Sequence, residues 1–304
     1  MPMRRRRCGW LSHFEPDFTM TPQDFRFSHA LRVRWVEVDM QKIVFNGHYL
    51  MYFDTAISDY WRALAMPYEE GLQLLGGDLY VKKATVEFHG SARFDDRLDV
   101  ALRCVRIGNS SLAFSGAIFR GDDLLVTCEL IYVFADPVSQ TSKPVPQALR
   151  DLLAKFEAGG DMLDLRLGDW KTLALDATTL RTAVFVSEQG IAADLATDAA
   201  DATALHAVAY NGLGQAVGTG RMVRAEPTVS QIGRLAVHRA LRGSGVGAQI
   251  VQTLVQSATA RGDAEVMLHA QRSAEGFYQR AGFTARGEYF EEAGRAHIEF
   301  FKPL

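Results

Sequence analysis

The sequence predicts an α+β protein of two successive domains, and three observations carry that expectation. The chain has 304 residues, about twice a common domain size of ~150. The order of elements changes near Gly159-Gly160: before it one long, apolar-striped helix precedes a run of strands, and after it strands and helices alternate. A strand over 231–237 also runs through the turn Arg242-Gly243-Ser244-Gly245-Val246-Gly247 directly into a helix. The expected divisions are a disordered basic tail over 1–24, a first domain over 25–158, a linker over 159–164 and a second domain over 165–304.

Composition narrows the function classes. With 48% hydrophobic and 23% charged residues the chain is ordinary globular material. Its 33 Lys and Arg against 36 Asp and Glu give a net charge of −3, so no positive field exists to hold nucleic acid. No apolar run reaches the ~20 residues that span a bilayer, so neither nucleic acid nor membrane is expected as a partner. Arg4 to Arg7 look like the start of a signal peptide, but no apolar stretch of ~7–15 residues follows. Met20 is an alternative start to Met1. The three cysteines, Cys8, Cys104 and Cys128, show no metal-ligand spacing and fit a cytoplasmic protein. Cys104 and Cys128 lie in alternating apolar stretches and read as packing.

In the first domain, Leu31, Val33 and Trp35 alternate with Arg32, Arg34 and Val36, which predicts a strand over 28–37. Leu50, Phe53, Ile57, Tyr60, Trp61 and Leu64 recur at helical spacing and predict a helix over 48–64, with Asn46 as its cap and Pro67 beyond its end. Strands are expected over 80–89, 97–107, 112–119 and 124–134, with a hairpin turn at Gly121-Asp122-Asp123, and a helix over 146–156. Between the first strand and the long helix stands Asp39. The free N–H groups around Asn46 to His48 carry the positive end of the helix dipole. A thioester carbonyl on those groups would be polarised, while Asp39 activates water or attacks the carbonyl itself. On physics alone a loop aspartate before a helix is most often a cap or a surface charge.

The segment Trp35 to Tyr49, the run Tyr49-Leu50-Met51-Tyr52-Phe53-Asp54-Thr55-Ala56, and Gly108-Asn109-Ser110-Ser111 resemble the 4-hydroxybenzoyl-CoA thioesterase family of the hotdog fold, over about 25–137. The resemblance implies an N-terminal hotdog domain, a long helix wrapped by antiparallel sheet, that hydrolyses acyl-CoA. Asp39 would be its catalytic carboxylate and Asn46 would supply the helix-start amide. The family also implies a homodimer or homotetramer with the acyl-CoA site between subunits. Lys42 stands where that family usually has glycine, and Asn46 where it frequently has His or Tyr.

In the second domain, strands over 205–210 and 215–223 join at Asn211-Gly212, and 192–204 reads as a long loop. Glycines at alternate positions before a helix aim several N–H groups at one place, and Arg242 adds a charge able to grip phosphate in bidentate fashion. Such a turn suits a pyrophosphate. The dinucleotide fingerprint fails because no acidic residue ends a next strand ~20 residues on. A phosphate-binding Walker loop fails for want of its Lys-Ser/Thr pair.

Arg242-x-x-Gly245-x-Gly247 and Gly276-Phe277-Tyr278-Gln279-Arg280-Ala281-Gly282-Phe283 resemble the GNAT superfamily of N-acetyltransferases, an α/β mixed-sheet fold, over about 163–304. The segments Val184 to Gln189, Asp198/Asp201/His206 and Tyr289 to Ile298 look like its small bacterial members. The resemblance implies direct attack of an amine on acetyl-CoA. Residues Arg242, Gly243, Ser244, Gly245, Val246 and Gly247 would bind the pyrophosphate, and the main chain from Leu235 to Val237 the pantetheine and thioester. Tyr278 would protonate the leaving thiolate, although it also fits core packing. Glu188 reads as a structural helix-end carboxylate, and His269 and His297 as packed or surface side chains.

Both halves point to coenzyme A thioesters. The expected function is an acyl-CoA thioesterase fused to an acetyl-CoA-dependent N-acetyltransferase. Acyl-CoA and acetyl-CoA are its substrates, the amine acceptor is unidentified, and neither a tightly bound cofactor nor a metal is expected. The alternative is one active half regulated by a catalytically silent CoA-binding sensor or assembly domain.

Overall fold

A computed structural model describes residues 20–304, so Met1, Arg4 to Arg7 and Cys8 lie outside the described residues. Residues 20–24, expected to belong to a disordered tail, are ordered. Pro22–Asp24 form a 3-10 turn, tied by a 2.7 Å bond from the Thr21 amide to the Asp24 carboxylate. Met20 packs beside Phe25, Ala101, Ala117 and Phe119.

The first domain runs β1 (Phe27–Arg32), α1 (Asn46–Ala63), α2 (Tyr68–Leu75), β2 (Asp78–Phe88), β3 (Arg97–Ile107), β4 (Ser111–Arg120), β5 (Asp123–Ala135) and α3 (Gln147–Glu157). Its five strands form one sheet in the order β1-β3-β4-β5-β2, antiparallel throughout. Helix α1 buries Tyr49, Tyr52, Phe53, Ala56, Ile57, Tyr60 and Trp61, a stripe at spacings of three and four that lies on the sheet. This is the hotdog arrangement. Burial of each large side chain in that stripe contributes about 1.5–3 kcal/mol. The helix comes close because Gly116 on β4 leaves room: a Cβ there would lie 2.6 Å from Phe53 Cε1.

Four details differ from the sequence expectation. The first strand stops at Arg32, and Trp35–Glu37 form a 3-10 turn instead. The reason is Glu37, whose carboxylate turns back to accept from the Arg34 amide at 2.7 Å and from Arg34 Nε at 2.8 Å. Asn46 is not the cap of α1 but its first helical residue; Phe45 occupies the cap position and makes no side-chain bond there. Leu50, assigned to the buried stripe, is 42% exposed, and α2 had no counterpart in the sequence reading.

The second domain runs β6 (Leu163–Gly168), α4 (Trp170–Arg181), β7 (Leu205–Asn211), β8 (Ala216–Glu226), β9 (Val229–Val237), α5 (Val246–Arg261), β10 (Glu265–Gln271), α6 (Glu275–Arg280), β11 (Thr284–Glu292) and β12 (Arg295–Pro303). Strand β6 begins inside the stretch expected to be linker. A widened helical turn over Thr182–Glu188 continues α4. The seven strands are ordered β11-β12-β10-β9-β8-β7-β6, and the one parallel pair is β9 with β10. No helix among the described residues is long and apolar enough to cross a membrane.

The domains touch directly. Leu152 of α3 lies over the turn after β7, where a Cβ on Gly212 would be 2.6 Å from Leu152 Cδ1. Glu70 of α2 pairs with His238 at 3.3 Å, and Arg62 Nε of α1 donates to the Ala240 carbonyl at 3.1 Å.

Candidate active sites

Asp39 sits on a small hairpin that leads into α1. Val38 and Val44 form an antiparallel bridge, the Phe45 amide donates to the Glu37 carbonyl at 2.9 Å, and the Asp39 and Lys42 backbones close the turn. Lys42 takes φ 62, the left-handed conformation that glycine adopts freely. The glycine-to-lysine departure therefore leaves this turn closed. Asp39 is half-buried, and its Oδ1 accepts from the Gln41 amide at 2.8 Å. Asn46 follows two residues after the bridge, at the start of α1, where first-turn amides lack intrahelical acceptors.

Beneath the hairpin lies Glu37, 2% exposed. Burial alone would raise its pKa, but hydrogen bonds from the Arg34 backbone, the Arg34 side chain and the Tyr52 hydroxyl hold it below the usual carboxylate value. Sequence reading missed this residue, because a Glu next to Trp35 and Val36 looks like the polar face of a strand. Around Asp39 the surface is apolar: Trp35, Val36, Met40 and Phe45 are exposed, and Trp35 meets Phe94 edge-on at 5.5 Å. His48, in the first turn of α1, has a buried Nδ1 without a hydrogen-bond partner among the described residues.

In the second domain, β9 pairs with β10 only from Val229 to Ile232, whereas on its other side it pairs with β8 as far as Val237. From Gly233 to Val237 the β10-facing edge is therefore open. The cause is a bulge: between the pairs Thr219↔Ala236 and Arg221↔Gly233 the register shifts, and Arg234 there takes φ 52. Asp198 holds Arg234 in place at 2.7 Å and Arg221 at 2.6 Å. Arg221 and Arg234 keep its carboxyl at about 2. Thr219 Oγ1 and Arg234 Nε, both beside the bulge, are buried without partners among the described residues.

The mouth of that opening is the glycine turn. Gly243 and Gly245 take φ 84 and φ 93, and Gly245 caps α5, so the free amides of Val246, Gly247 and Ala248 face outward from the helix start. Arg242 is already engaged: Glu188 accepts from both of its terminal nitrogens at 2.6 and 2.7 Å, and its Nε donates to the Val237 carbonyl at 3.3 Å. This partnership across 54 residues gives Glu188 a structural role, and its own carboxyl is lowered chiefly by the hydrogen bonds from Arg242. Ser244 Oγ donates to the Leu241 carbonyl at 2.6 Å.

The structure brings Val237, Gly247 and Phe277 together: a Cβ on Gly247 would be 3.4 Å from Val237 Cγ2 and 3.5 Å from Phe277 Cζ. Tyr278 follows on α6, 7% exposed, its ring 4.9 Å from that of Phe277, and burial pushes its hydroxyl up to about 12. His269 stands on β10 just past its last pairing with β9 and bonds Glu292 of β11 at 3.1 Å. His269 is partly exposed, in keeping with the sequence expectation of a packed or surface side chain; its partner is 23 positions away and no local spacing signals it. Cys104 and Cys128 are held near 12 by burial, which keeps both thiols neutral and supports their reading as packing.

Comparison with known proteins agrees with both halves. A family model described as an acetyltransferase (GNAT) domain matches residues 174–303, and one described as the thioesterase superfamily matches 41–127. The uncharacterized N-acetyltransferase YjcF of Bacillus subtilis is 33% identical over 128 residues, which is 42% of this chain and 90% of that protein. The acyl-CoA thioester hydrolase YbgC of Escherichia coli O157:H7 is 23% identical over 124 residues, 40% of this chain and 92% of that protein. Among solved structures, Escherichia coli ElaA aligns at a TM-score of 0.42 with 29% identity, covering 46% of this chain and 99% of its own. Fold and similarity together define a two-domain enzyme in which a thioesterase-superfamily hotdog domain precedes an acetyltransferase domain. Through that second domain the chain belongs to the GNAT acetyltransferases.

Proposed function

We propose that the first domain hydrolyses an acyl-CoA thioester and that the second transfers an acetyl group from acetyl-CoA to an amine. The observation that carries this reading is the opening between β9 and β10 with the glycine turn at its mouth. An extended pantetheine arm there takes the place of a strand and meets the main chain of Leu235 to Val237. The pyrophosphate then rests on the amides of Val246 and Gly247, with Arg242 positioned by Glu188. Tyr278 donates a proton to the departing thiolate, and the His269–Glu292 pair accepts one from the amine. In the first domain Asp39 activates water or attacks the thioester carbonyl, whose oxygen sits on the amides that start at Asn46.

A homodimer completes the first site in this reading. Strand β2 lies at the sheet edge, and Tyr80, Val81 and Phe88 along it are exposed. A long edge strand presents unpaired backbone N–H and C=O groups that a second chain can pair with. The free thiols of Cys104 and Cys128 suit a reducing, cytoplasmic setting.

The test is free-thiol release by the full chain from a panel of acyl-CoA thioesters, with and without a panel of amines. Asp39→Asn should remove the amine-independent release and Tyr278→Phe should lower only the amine-dependent release. If neither variant alters either rate, both assignments fail. If one rate is absent from the start, that domain serves as a CoA-binding partner of the other.

A further inference from the structure

The coenzyme site assigned above is not bounded by the second domain alone. Where α1 passes the glycine turn, a cavity of 460 Å³ opens between the domains, within the usual ~300–1,000 Å³ of small-molecule sites. One wall is Phe27, Asp59 and Arg62 of the first domain; the other includes Arg239, Arg242 and Ser244 of the second. Gly243 also lines it, so the cavity begins at the turn itself.

Its charge is unbalanced. Arg62 pairs with Asp59 and Arg242 with Glu188, while Arg239 has no carboxylate within ion-pair distance among the described residues. Arg62 Nε is anchored on the Ala240 carbonyl at 3.1 Å, one residue after Arg239, and both arginines line the cavity. A pyrophosphate seated on the turn leaves the rest of the coenzyme, a ribose with a 3′-phosphate and an adenine, to continue outward. The cavity adjoins the turn at Arg242, Gly243 and Ser244. A phosphate monoester brings up to two negative charges and several acceptor oxygens, which suits a pair of guanidinium groups.

We propose that Arg62 of the thioesterase-like domain, together with Arg239, binds the 3′-phosphate of the coenzyme A held by the acetyltransferase domain, so that one domain completes the coenzyme site of the other. This rests on the assignment of the glycine turn as the pyrophosphate site.

Calorimetry on the full chain with CoA and with dephospho-CoA, which lacks the 3′-phosphate, tests it. Gly245→Val identifies the binding component that belongs to the turn. For that component the unaltered protein should prefer CoA to dephospho-CoA about ten-fold or more, as expected from charge-assisted hydrogen bonds. Arg62→Ala and Arg62→Gln should each remove most of that preference, weakening CoA and leaving dephospho-CoA unchanged; the Gln variant retains a donor for Ala240. Hydrolysis by the first domain should be unaltered in both. A preference that survives in both variants overturns the proposal, as does an equal weakening of both ligands, which would assign Arg62 to domain packing. If Gly245→Val removes no CoA binding, the reading of the turn itself fails and the proposal falls with it.

Discussion

The Tyr52 hydroxyl donates a 2.8 Å hydrogen bond to Glu37 Oε2, which ties the second turn of α1 to the segment that carries Asp39. The bond is buried, and Glu37 also receives Arg34, so the carboxylate acts as a peg between helix and hairpin. Tyr52→Phe leaves the ring in place and removes one donor to a buried charge. We expect a loss of about 1–3 kcal/mol in denaturant unfolding, with a lower hydrolytic kcat as the hairpin loosens. Unchanged stability would show that Arg34 alone suffices to hold Glu37.

Asp39→Asn preserves size and the bond from the Gln41 amide. Thioester hydrolysis should fall by about 10²-fold or more, the order of a positioned acid–base group. Circular dichroism on the same sample should match the unaltered protein. Near-normal turnover in a folded variant assigns the chemistry elsewhere.

Lys42→Gly tests the strained turn. A non-glycine residue in the left-handed region costs roughly 1–2 kcal/mol, and glycine gives back about 0.4–1 kcal/mol through a freer unfolded chain. The variant should therefore be as stable as the parent or up to about 1.5 kcal/mol more so, with hydrolysis retained. A clear drop in melting temperature would mean that the Lys42 side chain holds the hairpin by a contact of its own.

Tyr278→Phe keeps the aromatic packing against Phe277, Phe283 and Phe300 and removes only the proton donor. Because burial places the hydroxyl at about 12, it stays protonated between pH 6 and 9, and amine acetylation should drop across that whole range. A wild-type rate at each pH would leave Tyr278 as a core aromatic, with water protonating the thiolate.

Acid should weaken the second domain through Asp198. Its folded value of about 2 lies below its ordinary 3.8, so its contribution to stability is complete above pH ~4 and is lost as pH falls toward 2. Unfolding measured from pH 5 to 2 should show this slope, and Asp198→Asn should flatten it. The same variant frees Arg234 at the bulge, so weaker acetyl-CoA binding at neutral pH is expected as well.

What the sequence made readable was periodic. The strand over 97–107 matches β3 to the residue, because Leu98, Val100, Leu102 and Cys104 recur at every second position, and the helix over 48–64 differs from α1 by two residues at its start and one at its end. The first strand was overrun for the same reason: Trp35 and Val36 look like core, yet they are 74% and 73% exposed. Apolar pattern alone does not separate a buried face from an apolar rim around a carboxylate. The glycine turn was legible because its spacing is local. The bond between Glu188 and Arg242, the peg at Glu37 and the bulge at Arg234 were not, since each depends on partners or dihedral angles that no short window encodes.

The packing of Leu152 against Gly212, and of Leu213 beside Gly71 and Met66, joins the two domains through one contiguous apolar cluster. Melting of either domain would strip cover from the other, so calorimetry should record a single endotherm. Thermodynamic linkage then applies to the chain as a whole: a ligand that binds only the native state stabilises whatever unfolds with its site. A thioester analogue held at Asp39 would thereby raise the midpoint at which the acetyltransferase sheet is lost, and the two substrates would each protect a site they never touch.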